Sequence, residues 1–152
     1  MTAVMLLTGF FASIYELNAT CLRFVNASKE NVAAIQGVQD RIETLRSLAF
    51  TDLTTASYIM TLLTTPSNTA PLAQRVVETV TISDYPSGSP NVTYTRAAGV
   101  SVTPTAAWSG GTSFGSSTNM VRVKVRYDWT ATFGQRARSE ETECLISGGT
   151  KK

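Results

Sequence analysis

Residues 1–15, MTAVMLLTGFFASIY, and residues 32–50, VAAIQGVQDRIETLRSLAF, belong to one stretch from Met1 to about Leu53 that decides the fold. It contains no proline, and Gly9 and Gly37 are its only glycines. Apolar residues recur at three- and four-residue steps: Ile14, Leu17, Cys21, Phe24, Ile35, Val38, Ile42 and Leu45. That period predicts one long helix. Ser28 and Asn31 occupy two steps of the same frame, so the seam carries a polar gap at its middle. At about 1.5 Å per residue the helix is a rod of roughly 75 Å, longer than a small domain can bury. Part of it must therefore find apolar partners outside the chain, in lipid or in other copies of itself.

The two halves of the rod differ. Residues 1–25 are apolar on nearly every face, as in a helix surrounded on all sides by apolar material. Residues 26–53 are amphipathic, and Lys29, Glu30, Asp40, Arg41, Glu43 and Arg46 lie off the apolar seam. The division predicts a membrane-span or filament-core helix over 1–25 and a globular domain over 26–152. Residues 56–63, ASYIMTLL, extend the helical pattern by a turn or two before Pro66 and Pro71 end it.

The remainder reads as antiparallel sheet. In residues 74–83, QRVVETVTIS, an imperfect alternating face comprises Val76, Glu78, Val80 and Ile82. A turn cluster at 85–90, YPSGSP, leads to a strand at 91–95, NVTYT, with a possible continuation at Val100–Thr103. Residues 104–119 form a Gly/Ser-rich surface loop whose aromatics, Trp108 and Phe114, suggest that it is pinned, with a neighbouring subunit as one candidate anchor. In Met120–Trp129, Val121, Val123, Val125 and Tyr127 alternate with Arg122, Lys124, Arg126 and Asp128, giving one dry and one wet face. A two-residue turn at Phe133–Gly134 places Arg126 opposite Glu141, Lys124 opposite Glu143 and Val123 opposite Cys144. Charge and polarity agree across that register. The fold class is α+β: a long N-terminal helix whose second half packs on a small antiparallel sheet. Ile35, Val38, Ile42 and Leu45 are expected to face Val121, Val123 and Val125.

Composition narrows the chemistry. The 152 residues carry a net charge of +2 and 16% charged residues, so no polyanionic partner is demanded. Without histidine, no nucleophile–base arrangement of the usual kind can be drawn, and the commonest metal ligand is missing. No cofactor or metal is expected, and the chain does not read as an enzyme. Cys21 and Cys144 either form one bridge, within or between chains, or remain buried free thiols. The sequons at Asn18, Asn26 and Asn91 read as chance matches. The basic stripe Arg122, Lys124, Arg126 is matched by Glu141 and Glu143, which makes nucleic-acid binding unlikely.

The segments ASKENVAAIQGVQDRIETLRSLAFTDL (27–53) and RVKVRYDWTATFGQRARSEETECLI (122–146) resemble the bacterial type IV pilin and type II secretion pseudopilin family. The first is similar to the amphipathic half-helix of such subunits. The second is similar to the closing hairpin of the minor-pilin and pseudopilin branch. The family's mature chain places a glutamate near its start, whereas here no acid precedes Glu16. Either the mature chain starts at Met1 without that glutamate, or Met1 lies about six residues inside the mature helix, which gives an uncharged segment of roughly 20 residues, the length of a bilayer span. The resemblance implies a subunit held in the inner membrane and then drawn by assembly machinery into an extracellular homo-oligomeric helical filament. Met5, Leu6, Phe10, Phe11, Ile14 and Leu17 would pack its core. The alternatives are a minor pilin or pseudopilin at a filament tip, or a membrane-anchored binding module such as a DNA-uptake subunit.

Overall fold

The computed structural model describes residues 2–96, 105–107, 114 and 118–149. Helix α1 runs over Thr2–Ser47, followed by α2 (Phe50–Leu53), α3 (Ala56–Leu63) and α4 (Pro71–Arg75). Strands β1 (Val77–Asp84), β2 (Asn91–Arg96), β3 (Thr105–Ala107), β4 (Met120–Thr130) and β5 (Ala137–Ser147) complete the chain. They make one antiparallel sheet in the order β3-β2-β1-β4-β5. The architecture is α+β, with α1 packed on the β4–β5 side of the sheet.

The rod does not reach Leu53 unbroken. It stops at Ser47, and Ala49 is extended (φ −64°, ψ 146°) before α2 begins. Neither glycine nor proline marks this break. Its cause is packing: continued straight, Leu53 would sit about 12 Å beyond Leu45 along the axis. The bend instead brings Leu53, Ile59 and Leu63 into the core that already holds Leu45. Pro71 likewise starts a helix rather than ending one. It occupies the first turn of α4 after an extended Ala70, where a missing N–H costs no hydrogen bond. As a result Gln74 and Arg75 are helical, and β1 starts at Val77, later than the expected 74.

The core is a single cluster between the helices and the sheet's inner face. Val80, Ile82, Val92, Tyr94, Val121, Val123, Val125, Tyr127 and Trp129 supply the sheet side. Val76, Glu78, Val80 and Ile82 all point inward, as their alternation implied. In the hairpin, Arg126 pairs with Glu141, Lys124 with Glu143 and Val123 with Cys144, the register expected. The turn is longer than two residues: the Ala131 N–H donates to the Arg136 carbonyl, which leaves 132–135 as a four-residue loop. Gly134 (φ 82°) and Gln135 (φ 49°) both take left-handed backbone there.

Strand β3 lies within the stretch read as loop, pairing Thr93 with Ala107 and Thr95 with Thr105. Phe114 is partly buried against the core and faces Val92 and Tyr94 across a small cavity. It is therefore anchored on its own domain. Trp108 and the expected continuation at Val100–Thr103 fall outside the described residues.

Candidate functional site: an exposed apolar helix on an ionic lock

Among the described residues, none covers the first half of α1. Met5, Leu6, Phe10, Phe11, Ile14 and Leu17 are between 46% and 77% exposed, and Leu7, Leu22 and Phe24 are exposed with them. Phe10 and Phe11 touch edge to face at 6.2 Å between ring centroids. This is one helix long and apolar enough to cross a membrane, and no part of its apolar window is covered. Thr8, Ser13 and Thr20 return their hydroxyls to the helix's own carbonyls at Val4, Gly9 and Glu16. Those polar groups are thereby satisfied without water, as an apolar surrounding requires.

The second half is fixed to the sheet by small residues. Its buried face is Ala34, Gly37, Val38, Arg41, Ile42 and Leu45. Ile35, expected to face the sheet, is 41% exposed and lies outside that face. The reason is geometric. A seam drawn at a period of 3.5 drifts off a straight 3.6-residue helix, and Ala34 and Gly37 occupy the true contact line. A Cβ on Gly37 would lie 2.6 Å from Cε2 of Tyr127, so the ring sits directly on the helix backbone. The Tyr127 hydroxyl donates to the Gly37 carbonyl at 3.3 Å and pairs with Ser67 Oγ at 2.5 Å. Burial, with the Glu78 charge nearby, pushes this phenol up to about 12.

Arg41, expected off the apolar seam, is instead buried. Its Nε lies 2.5 Å from Glu78 Oε1, and its Nη2 is 3.2 Å from Glu78 Oε2. Arg96, also buried, reaches Oε2 from the other side through Nε at 3.0 Å. One carboxylate from β1 thus holds a guanidinium from α1 and another from β2. The cluster carries a net buried charge of +1, and main-chain carbonyls disperse it. Arg41 Nη2 donates to Thr65 (2.7 Å), and Arg96 Nη2 donates to Ala73 (2.6 Å). The lock ties α1, the loop after α3, the middle of α4 and two strands at one point.

A second fastening lies beside the polar gap of the seam. Glu30 is 2.6 Å from Arg75 Nη2 of α4, and its carboxylate accepts the Thr132 hydroxyl and the Thr132 N–H of the hairpin loop. Burial pushes the carboxyl up, but the bonds from Thr132 and Arg75 outweigh it and hold Glu30 below its ordinary value. One residue on, Asn31 Oδ1 accepts from Arg138 of β5 at 2.8 Å. Further down the rod, Asp40 accepts from Asn68 at 2.7 Å. These contacts set the axial position of the rod on the sheet.

The outer sheet face uses its charges locally. Lys124 pairs diagonally with Glu141 at 2.9 Å, Arg126 with Asp128 of its own strand at 2.7 Å, and Arg122 stacks on Tyr85 at 5.4 Å. Cys21 and Cys144 are both free, and Cys21 is exposed rather than buried, while Cys144 is half-buried. Cys144 lies near Glu43 and Arg46, which places Cys21 roughly 35 Å away along the rod, far beyond the reach of a disulfide within one chain. Burial pushes the Cys144 thiol up, against the pull of Arg46. Among the described residues no group of carboxylates and thiols is arranged to hold a metal. No family model, curated protein or solved structure matches the chain.

Proposed function

We propose that the chain is a pilin-like structural subunit of an extracellular bacterial filament of the type IV pilus kind, anchored in the inner membrane before assembly. The observation that carries this reading is the contrast within one helix. Residues 3–25 present apolar side chains to the outside, while residues 30–45 are fastened to a sheet by two polar contacts and an ionic lock. A rod so held is a handle: its domain is rigidly attached, and its free half must lie in lipid or among other rods.

Such an exchange is physically easy. Fully burying a large aliphatic or aromatic side chain is worth about 1.5–3 kcal/mol relative to water. Six residues of this size therefore keep the rod out of water by something on the order of 10 kcal/mol. Lipid and neighbouring helices are almost equally apolar, so moving between them is decided by packing and hydrogen bonds rather than by the hydrophobic effect. A homo-oligomeric bundle of residues 1–25, coated by the sheet domains, is the assembly this favours. A second reading, a minor pilin or pseudopilin at a filament tip, draws its support from the long closing hairpin of β4 and β5.

The test is the pair of substitutions Phe10→Asp and Phe11→Asp. Neither residue touches the sheet domain, so that domain should keep its near-UV circular dichroism. The filament fraction sheared from cells expressing the variant should lose the chain. Undiminished incorporation would overturn the proposal.

A further inference from the structure

We propose that the groove between α1 and the tip of the β4–β5 hairpin binds the phosphate group of an anionic phospholipid and seats the domain on the membrane surface. The groove has a volume of about 660 Å³ and lies between Thr20, Arg23 and Phe24 of the rod and Phe133, Arg136 and Arg138 of the hairpin. The inference rests on the rod being membrane-anchored and adds a ligand to that reading.

Position is the first argument. The uncharged stretch of the rod ends at Tyr15, so Glu16 marks the edge of the hydrocarbon, where a charged side chain can reach water. Arg23 stands two turns further on, about 10 Å beyond Glu16, over the headgroup layer, and its long side chain can reach back into it. The hairpin loop 132–135 is fastened beside residue 30 through Thr132, so its tip is the part of the domain that points back toward the membrane. A polar loop cannot enter hydrocarbon, which fixes the boundary near the groove.

Charge is the second argument. Three guanidinium groups line the groove, and no carboxylate does. Among the described residues the Arg23 and Arg136 side chains have neither an ion pair nor a hydrogen bond, and Arg138 donates only to Asn31. The neighbouring acid, Glu30, is already held by Arg75 and Thr132. Glu16 is two turns away from Arg23, about 10 Å along the axis. Guanidinium groups bind phosphate oxygens in bidentate pairs, so an unneutralised trio at headgroup depth matches a phosphodiester anion.

The apolar contribution is the third. Phe24 is 73% exposed and Phe133 45% exposed, one on each wall of the groove. Aromatic rings at the edge of a bilayer lie among the glycerol and upper acyl groups. Basic and aromatic walls together fit a lipid headgroup with the start of its chains, and fit a free anion less well.

The experiment uses the full chain reconstituted in bilayers, with spin-labelled phosphatidylglycerol or spin-labelled phosphatidylcholine as the probe. Electron paramagnetic resonance then gives the relative association of each lipid with the protein. The wild type should prefer phosphatidylglycerol, and the preference should fall roughly fivefold for each arginine removed in Arg23→Gln and Arg136→Gln. Arg23→Lys should retain most of it, and raised salt should weaken it. Equal association of the two lipids, or a preference indifferent to both glutamine variants, would overturn the inference. So would inorganic phosphate shifting the amide resonances of residues 132–135 in zwitterionic bilayers that show no lipid preference, the mark of a free-anion site. Co-flotation of the chain with the vesicles is read in parallel. Flotation without lipid preference sinks this inference alone, whereas failure to float sinks the anchored reading with it.

Discussion

Replacing Glu78 with glutamine removes the negative charge from the centre of the ionic lock while keeping its shape. The side chain is 0% exposed and accepts three charge-assisted bonds, two from Arg41 and one from Arg96. In Glu78→Gln the buried net charge rises from +1 to +2, and the new amide presents donors to guanidinium donors. Breaking a buried pair from one side costs about 3–5 kcal/mol, because the partner's charge stays behind without compensation. For a domain of this size that loss lowers the melting temperature by roughly 10–20 °C. Arg41→Met makes the opposite change, leaving Glu78 and Arg96 as a neutral pair, so it should cost less than Glu78→Gln. The assay is thermal and urea unfolding of the full chain in detergent, followed by near-UV circular dichroism to report on the sheet domain. A loss below about 1 kcal/mol for Glu78→Gln, or a larger loss for Arg41→Met, would refute the reasoning.

Gly37→Ala gains helix propensity, up to about 1 kcal/mol, yet should destabilise the domain by roughly 1–3 kcal/mol, because its Cβ meets the Tyr127 ring at 2.6 Å. The same unfolding assay measures it, and a stabilised variant would show that the ring gives way freely. Glu30 is held below its ordinary carboxyl value, so the stability it supplies is present above the unfolded carboxyl pKa and is lost as pH falls through the depressed folded value. The protection of the Thr132 amide, taken relative to its intrinsic exchange rate at each pH, should therefore fall on acidification, and Glu30→Gln should remove that pH dependence while lowering protection at neutral pH. Both thiols should be alkylated in the unreduced chain in detergent, with Cys144 reacting more slowly and needing higher pH, since burial raises its thiol pKa. Mass spectrometry of the alkylated chain decides this, and an intrachain disulfide peptide would contradict the placement of the hairpin on the rod.

Elements were legible in the sequence wherever local pattern and tertiary environment coincide. The β4–β5 register could be read because a one-residue slip would turn Val121, Val123 and Val125 to water. The inward alternation of β1 was visible too, and the charged Glu78 within it was the one signal of the lock. Its partner Arg41 was hidden by the rule that charged residues lie outside, although Arg41 stands three residues after Val38 and four before Leu45 on the same face. The break at Leu48–Ala49 has no glycine or proline to announce it, because it is imposed by where Leu53, Ile59 and Leu63 must go. Ile35 was misplaced for a related reason. Hydrophobicity alone ranks isoleucine above Ala34 and Gly37, yet close approach of helix to sheet selects the small residues. The exposed half of α1 was the most legible feature, since a rod longer than its domain leaves its apolar surface uncovered whatever the sheet looks like.

The measurement that bears most directly on the central proposal is electron microscopy of material sheared from the native cells, with mass spectrometry of the same fraction. A filament subunit predicts long, thin filaments composed mainly of this chain, with peptides from residues 1–25 protected from protease until the filaments are dissociated. Material in which the chain is only a trace component, or a chain that stays in the membrane as single subunits, would contradict it.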